Sequence, residues 1–307
     1  MLEPTLRVAC VQLDPVFKDP SASREKADRL IESLEVGTLD LLVMPEMAFS
    51  GYCFTSREDV TPYVEDPSTG ETFAWASRTA LKLGCYVQVG LPTVSSSSSS
   101  SPPSDPLYFN STLLVSPSGS LVSVYSKHFL YETDYAWATP GPAFIALDLP
   151  FPPSSPFHSD RAAPIRAFRL APAICMDLNP KDFVAPFEAF EFASFAKREE
   201  VDVVACSMSW LDSEPPRGAN EEEDEGGRTE WERVHRTLGY WVMRMEPLME
   251  SGVAFVGCNR VGREGDTVFT GSSCAIELQE RPTVVKYATK RKEEVLVAKV
   301  RLPPREE

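Results

Sequence analysis

The sequence predicts an α/β protein whose strands are covered by helices. Two observations carry this: short β-branched apolar runs alternate with longer amphipathic ones, and the interleaving continues through most of the 307 residues. A chain of this length with 43% hydrophobic and 24% charged residues can bury a sizeable core. Strands and helices interleaved to the end of the chain favour one domain over residues 1–307 rather than two.

In chain order, residues 6–12 read as a strand and 21–34 as a helix, with Ala27, Leu30, Ile31 and Leu34 at helical spacing. Residues 39–44 (LDLLVM) are a buried strand stopped by Pro45. The next helix, 69–83, opens on Ser68 with Glu71 after it, a capping-box pattern. Strands follow at 85–91, 108–116 and 121–126, the last two joined by a PSGS hairpin turn. A Pro- and Phe-rich stretch, 140–164, leads into strands near 165–170 and 172–174. A helix over 183–200, a strand over 201–207, a long helix over 228–250 and a strand over 254–259 come next. The tail from Gly271 alternates as a strand meander ending at Val300.

Two stretches of biased composition interrupt this order. Residues 95–106 begin with seven serines, and 213–227 contain the acidic run EEEDE at 221–225. Neither holds enough apolar surface to offset its ordering entropy, so both are expected as mobile loops.

Charge narrows the partners. Forty-five Asp and Glu against 30 Lys and Arg leave a net charge of −15, a field that repels phosphate backbones and anionic lipid. Neither nucleic acid nor a membrane surface is an expected partner. The cysteines at 10, 53, 85, 175, 206, 258 and 274 lack CxxC spacing and lie mostly in apolar runs, the usage of a reducing compartment. With no basic-then-apolar leader at the N-terminus and no stretch long enough to span a bilayer, cytosol or nucleus is the expected location. Three histidines are a poor supply for a metal centre or a histidine-dependent triad.

Three residues share one kind of position. Glu46 follows the strand 39–44 just beyond Pro45, and Lys127 follows the strand 121–126. Cys175 stands where an apolar strand runs out into Asp177, Asn179 and Pro180. A carboxylate, an ammonium and a thiol at strand ends suit proton transfer, charge stabilisation and nucleophilic attack. Backbone N–H groups at a helix start lower a thiol's pKa and can hold an oxyanion. Taken singly, each has a plainer reading: a solvated strand end, a solvated charge, a buried structural cysteine.

Taken together and in this order, they resemble the catalytic arrangement of the nitrilase (carbon–nitrogen hydrolase) superfamily. Pro45, Glu46, Gly51 and Tyr52 are similar to its P-E-x-x-x-x-G-Y motif, Lys127 and Leu130 to K-x-x-L, and Cys175, Asp177 and Pro180 to C-x-D with a later Pro. The string VVACSMSW at 203–210 and the segment 256–273, with Asn259-Arg260 and a Gly-x-Ser turn, look like two further family strands. The resemblance spans residues 6–278. Within the superfamily, CMDLNP, KHFLYETDYAW, YWVMRMEPL and FVGCNRVG look most like the fungal-type N-terminal amidase branch. At 178–180 the chain departs from the superfamily's usual Arg-Phe-Pro-Glu stretch.

The resemblance implies a four-layer α-β-β-α sandwich and a cofactor-free, cysteine-dependent amidohydrolase. Its reaction would convert N-terminal Asn and Gln of peptides and proteins to Asp and Glu through a thioester, releasing ammonia within an N-degron pathway. Glu46 would be general base and Cys175 nucleophile, with Lys127 and the Met176 N–H stabilising the oxyanion. A second carboxylate beside Lys127 is expected, Glu132 ahead of Asp134, with ordinary surface charge as the alternative for each. A free α-ammonium calls for an acidic or carbonyl-rich corner beside an aromatic wall. Asp177 and Trp210 are placed for this, then Asn179 and Tyr131; a helix cap is the alternative for Asp177 and a core aromatic for Trp210. A second copy of the chain is a further implied partner. Two other functions stay open: a small-molecule ω-amidase or carbamoylase of the same superfamily, and a non-catalytic acidic interaction scaffold.

Overall fold

The computed structural model describes residues 4–95, 106–158, 167–213 and 229–303. Most of the two stretches expected as mobile loops, 95–106 and 213–227, lies outside the described residues. The first half of the chain forms β1 (Thr5–Gln12), α1 (Pro20–Leu30), β2 (Leu41–Val43), the one-turn α2 (Arg57–Val60), α3 (Glu71–Leu83), β3 (Tyr86–Val94), β4 (Tyr108–Val115) and β5 (Leu121–Ser126). The second forms β6 (Leu147–Pro150), β7 (Ala167–Ile174), α4 (Glu191–Arg198), β8 (Val203–Met208), α5 (Glu230–Arg244) and β9 (Val253–Asn259). A small hairpin, β10 (Arg263–Glu264) with β11 (Thr267–Val268), precedes β12 (Cys274–Leu278), β13 (Thr283–Tyr287) and β14 (Glu294–Arg301).

Two six-stranded sheets result, ordered β14-β1-β2-β3-β4-β5 and β13-β12-β9-β8-β7-β6. Each has a parallel centre, β1-β2-β3 and β7-β8-β9, flanked by antiparallel strands. Parallel strands need crossovers, and the helices supply them. Side-chain alternation then sorts the layers. Val8, Leu41, Val43, Val203 and Ala205 meet between the sheets with Phe168 and Val256. Their strand neighbours Ala9, Leu42 and Val87 turn outward onto Ala27, Trp75 and Ala80 of the first helical layer. Val204 and Cys206 turn outward onto Phe192, Leu238 and Trp241 of the second. The fold is therefore the expected α-β-β-α sandwich. Among the described residues no helix is long and apolar enough to cross a membrane.

Several elements differ from the sequence reading. The helix expected over 183–200 is regular only at Glu191–Arg198. Pro186 interrupts it, and Asp182, Phe183 and Phe190 take positive φ. The capping box expected at Ser68 does not form; Gly70 is the cap position, and Glu65 instead accepts from Thr72 N–H at 2.8 Å. The two strands expected at 165–170 and 172–174 are one strand, β7, and β6 pairs only with its first half, through Leu170.

Candidate active site

The carboxyl ends of β2, β5, β7 and β8 meet at one rim, where Ser207 Oγ donates to Met44 O at 2.9 Å and so joins the two sheets. Glu46 leaves β2 there through a turn in which Met47 has φ 50°. Gly90 of β3 leaves room for this turn, since a Cβ on it would lie 2.5 Å from Pro45 O and 2.6 Å from Glu46 Cα. The Glu46 side chain ends fully buried.

Lys127 Nζ donates to Glu46 Oε1 at 2.7 Å and to Asp134 Oδ2 at 2.5 Å, and none of the three groups is exposed. Asn110 of β4 spans the same carboxylates, donating to Glu46 Oε1 at 2.7 Å and to Asp134 Oδ1 at 3.0 Å. From the other sheet, Ser209 N–H donates to Glu46 Oε2 at 2.8 Å. Burial raises the pKa of Glu46, with Lys127 opposing. Burial also works against the Lys127 ammonium, but Asp134 and Glu46 outweigh it and hold its pKa well above the ordinary lysine value. Lys127 is therefore a cation at neutral pH.

Cys175 closes β7 with φ 38°, a left-handed conformation costly for a residue with a Cβ, and opens the 3-10 turn Cys175–Leu178. The expectation that the turn lowers the thiol's pKa is overturned. Burial, and then the charge of Glu46, push it well above the usual cysteine value. The sulfur carries its proton at neutral pH and needs a base to become a nucleophile.

The carbon–nitrogen hydrolase family matches residues 7–183. Over 95% of its length the chain is 32% identical to the protein N-terminal amidase of Schizosaccharomyces pombe, 98% of which is covered. This chain belongs to the carbon–nitrogen hydrolase family. Its relatives include the protein N-terminal amidase of Saccharomyces cerevisiae, 30% identical over 68% of this chain and 46% of that one. Two solved structures of N-terminal amidase, one with a Gln-Val peptide and one with an Asn-Glu peptide, align at a TM-score of 0.80, covering 98% of this chain and 99% of theirs. At 20% identity that likeness is one of fold.

In this carbon–nitrogen hydrolase Cys175 lines a cleft of about 340 Å3, walled by Tyr52, Tyr131, Asn179, Phe183, Trp210 and Tyr240. The backbone of Trp210 is held by Asn259, which accepts from its N–H at 2.8 Å, and its ring lies 5.7 Å from those of Tyr240 and Trp241. Arg260 pairs with buried Glu264, whose carboxylate accepts from the Tyr52 and Cys53 N–H groups and so fixes the cleft wall. Asn179 Oδ1 accepts from Tyr240 OH at 2.7 Å. Met176 sits beside the sulfur and also lines the cleft.

Two expected positions are corrected. Glu132 is exposed, and Asp134 is the carboxylate on Lys127, because the turn Asp134–Ala136 points Asp134 inward, where it also accepts from Tyr131 N–H at 2.9 Å. Asp177 is buried away from the cleft lining. Its Oδ1 accepts from His128 and Phe129 N–H, and its Oδ2 from Tyr125 OH and Ile174 N–H, all within 3.1 Å. Asp177 thus clasps the Cys175 turn to the segment after Lys127 and has no place left for a substrate ammonium. Asn110 and Ser209 were missed by sequence reasoning. Asn110 opens the polar triplet Asn110-Ser111-Thr112 of β4, which does not by itself single it out.

Proposed function

We propose that this hydrolase is a protein N-terminal amidase, converting N-terminal Asn and Gln of peptides and proteins to Asp and Glu. The observation that carries the reading is the convergence of Glu46, Lys127 and Cys175, from both sheets, beside one aromatic-walled cleft. The full-length likeness to a relative named for that activity supports it. Glu46 takes the thiol proton as Cys175 attacks the side-chain amide carbon. Two of the three Lys127 N–H donors are engaged by Glu46 and Asp134, leaving the third for the oxyanion together with the Met176 N–H. Ammonia leaves with the proton returned from Glu46, and a thioester remains on Cys175. Glu46 then deprotonates the water that hydrolyses it, and the thiol is regenerated.

With Asp177 fully bonded, the groups we assign to an α-ammonium among the described cleft residues are Asn179 Oδ1 and the faces of Tyr131, Trp210 and Tyr240. The core shared between the sheets supports treating residues 1–307 as one domain. The product termini would serve an N-degron pathway in cytosol or nucleus, and a second copy of the chain is a proposed partner.

Ammonia release from an Asn-peptide, a Gln-peptide, an N-acetylated Asn-peptide and free glutamine tests the reading. Activity on the first two alone is expected. Equal turnover of the acetylated peptide would reject N-terminal recognition, and preference for free glutamine would favour a small-molecule ω-amidase.

A further inference from the structure

We propose that Asn110 is a positioning residue of this site: its amide bridges Glu46 and Asp134 and holds the Glu46 carboxylate with Oε2 on the side of Cys175. The inference rests on reading Glu46 as base and Cys175 as nucleophile. Asn110 is fully buried. Besides its two side-chain donations, its backbone carbonyl accepts from Lys127 N–H at 2.8 Å, so one residue fixes all three charged partners.

The consequence for Glu46 is specific. Oε1 accepts from both Lys127 Nζ and Asn110 Nδ2, which commits its two lone pairs. Oε2 accepts from Ser209 N–H at 2.8 Å, and Ser209 lines the same cleft as Cys175. Oε2 is therefore the oxygen beside the thiol with capacity to take a proton. A carboxylate turns easily about its terminal bond, and a single ammonium does not fix which oxygen faces which partner. A second donor on Oε1 does. The amide orientation is forced, because its oxygen would be repelled by two carboxylates. Asn110 Oδ1 meets no hydrogen-bond donor among the described residues, a buried acceptor left unpaired while both N–H groups serve the carboxylates. The titratable groups facing Glu46 are Lys127, Asp134, Tyr52 and Cys175, with Cys206 of β8 behind the sulfur.

Asn110→Asp keeps the shape and exchanges donors for an acceptor, and Asn110→Leu removes the donors. For both, kcat on an Asn-peptide is expected to fall on the order of 100-fold with KM within about threefold. The acid limb of kcat/KM should move to higher pH, since Glu46 loses a donor and in Asn110→Asp gains a like-charged neighbour. Thr112→Val, on the same face of β4, should keep wild-type kinetics. A kcat for Asn110→Asp within threefold of wild type, or a loss that follows only the folded fraction in thermal melts with an unmoved acid limb, would overturn the proposal. Glu46→Gln and Cys175→Ala run alongside. Ammonia release surviving in either would reject the reading of the site itself, whatever Asn110 does.

Discussion

Lys127 Nζ lies 2.7 Å from Glu46 Oε1, and neither group is exposed. The two residues are 81 positions apart in the chain. One ammonium shared by two buried carboxylates leaves a net negative charge inside the protein, which the Asn110 and Ser209 donors help to hold. Such a pair is costly to break from one side.

Removing the cation should therefore cost both stability and activity. Lys127→Met leaves Glu46 and Asp134 facing each other without it, and a loss of about 3–5 kcal/mol is expected. Urea unfolding monitored by circular dichroism measures it. A loss below about 1 kcal/mol would mean that the pair is relaxed by water or by protonation.

The same lysine sets an alkaline limit. Its pKa is raised above 10.5 in the folded protein, so the folded state holds the proton more tightly than the unfolded chain. Stability present below that value is lost as pH climbs toward the folded pKa. Buried Tyr52 and Tyr125, both raised well above 10.0 by burial, add loss of the same sign. Melting temperature should fall above about pH 10.5, less steeply in Lys127→Met, which lacks the lysine contribution. Equal slopes in the two proteins would contradict this.

Cys175 should react as a thiol rather than a preformed thiolate. Its alkylation by iodoacetamide in the free enzyme, followed by peptide mass spectrometry, should keep rising with pH through 9.0, the ordinary value above which burial holds it. A plateau already reached at neutral pH would refute the raised pKa.

Asp177 and Trp210 should separate by phenotype. Asp177→Ala strands four donors, each worth about 1–3 kcal/mol when left buried and unpaired, so the melting temperature should drop sharply. Discrimination between free and acetylated N-termini should survive in what activity remains. Trp210→Ala should leave the fold intact and raise KM for the Asn-peptide about tenfold.

Gly90→Ala tests the packing beneath Glu46. The added methyl meets backbone atoms of Pro45, Glu46 and Met47 at 2.5–2.7 Å, which no rotamer change relieves. Moving Glu46 by a fraction of an ångström should lower kcat about 100-fold. Unchanged kcat would show that β3 yields instead.

Much of this was legible in the chain, because strand ends are local signals. Pro45 closes the apolar run 39–44 just before Glu46, Asp177, Asn179 and Pro180 follow the end of β7 at Cys175, and short continuous apolar runs mark β2, β7 and β8, whose carboxyl ends help form the rim. The helix expected over 183–200 is broken on equally local grounds, since Pro186 cannot donate to a helical ladder despite the apolar spacing around it.

The sequence by itself determined which three residues end the apolar strands, and with them the family. Only the tertiary structure decided what surrounds them. Glu132 and Asp134 are both carboxylates, two residues apart in the chain; a 3-10 turn buries Asp134 against Lys127 and leaves Glu132 in solvent. Asn110 and Ser209 reach Glu46 from 64 and 163 residues away. The direction of the Cys175 pKa follows from burial and then from the charge of Glu46, which arrives from the other sheet. Such effects depend on distances that form only when remote segments pack, and residue order does not encode them locally.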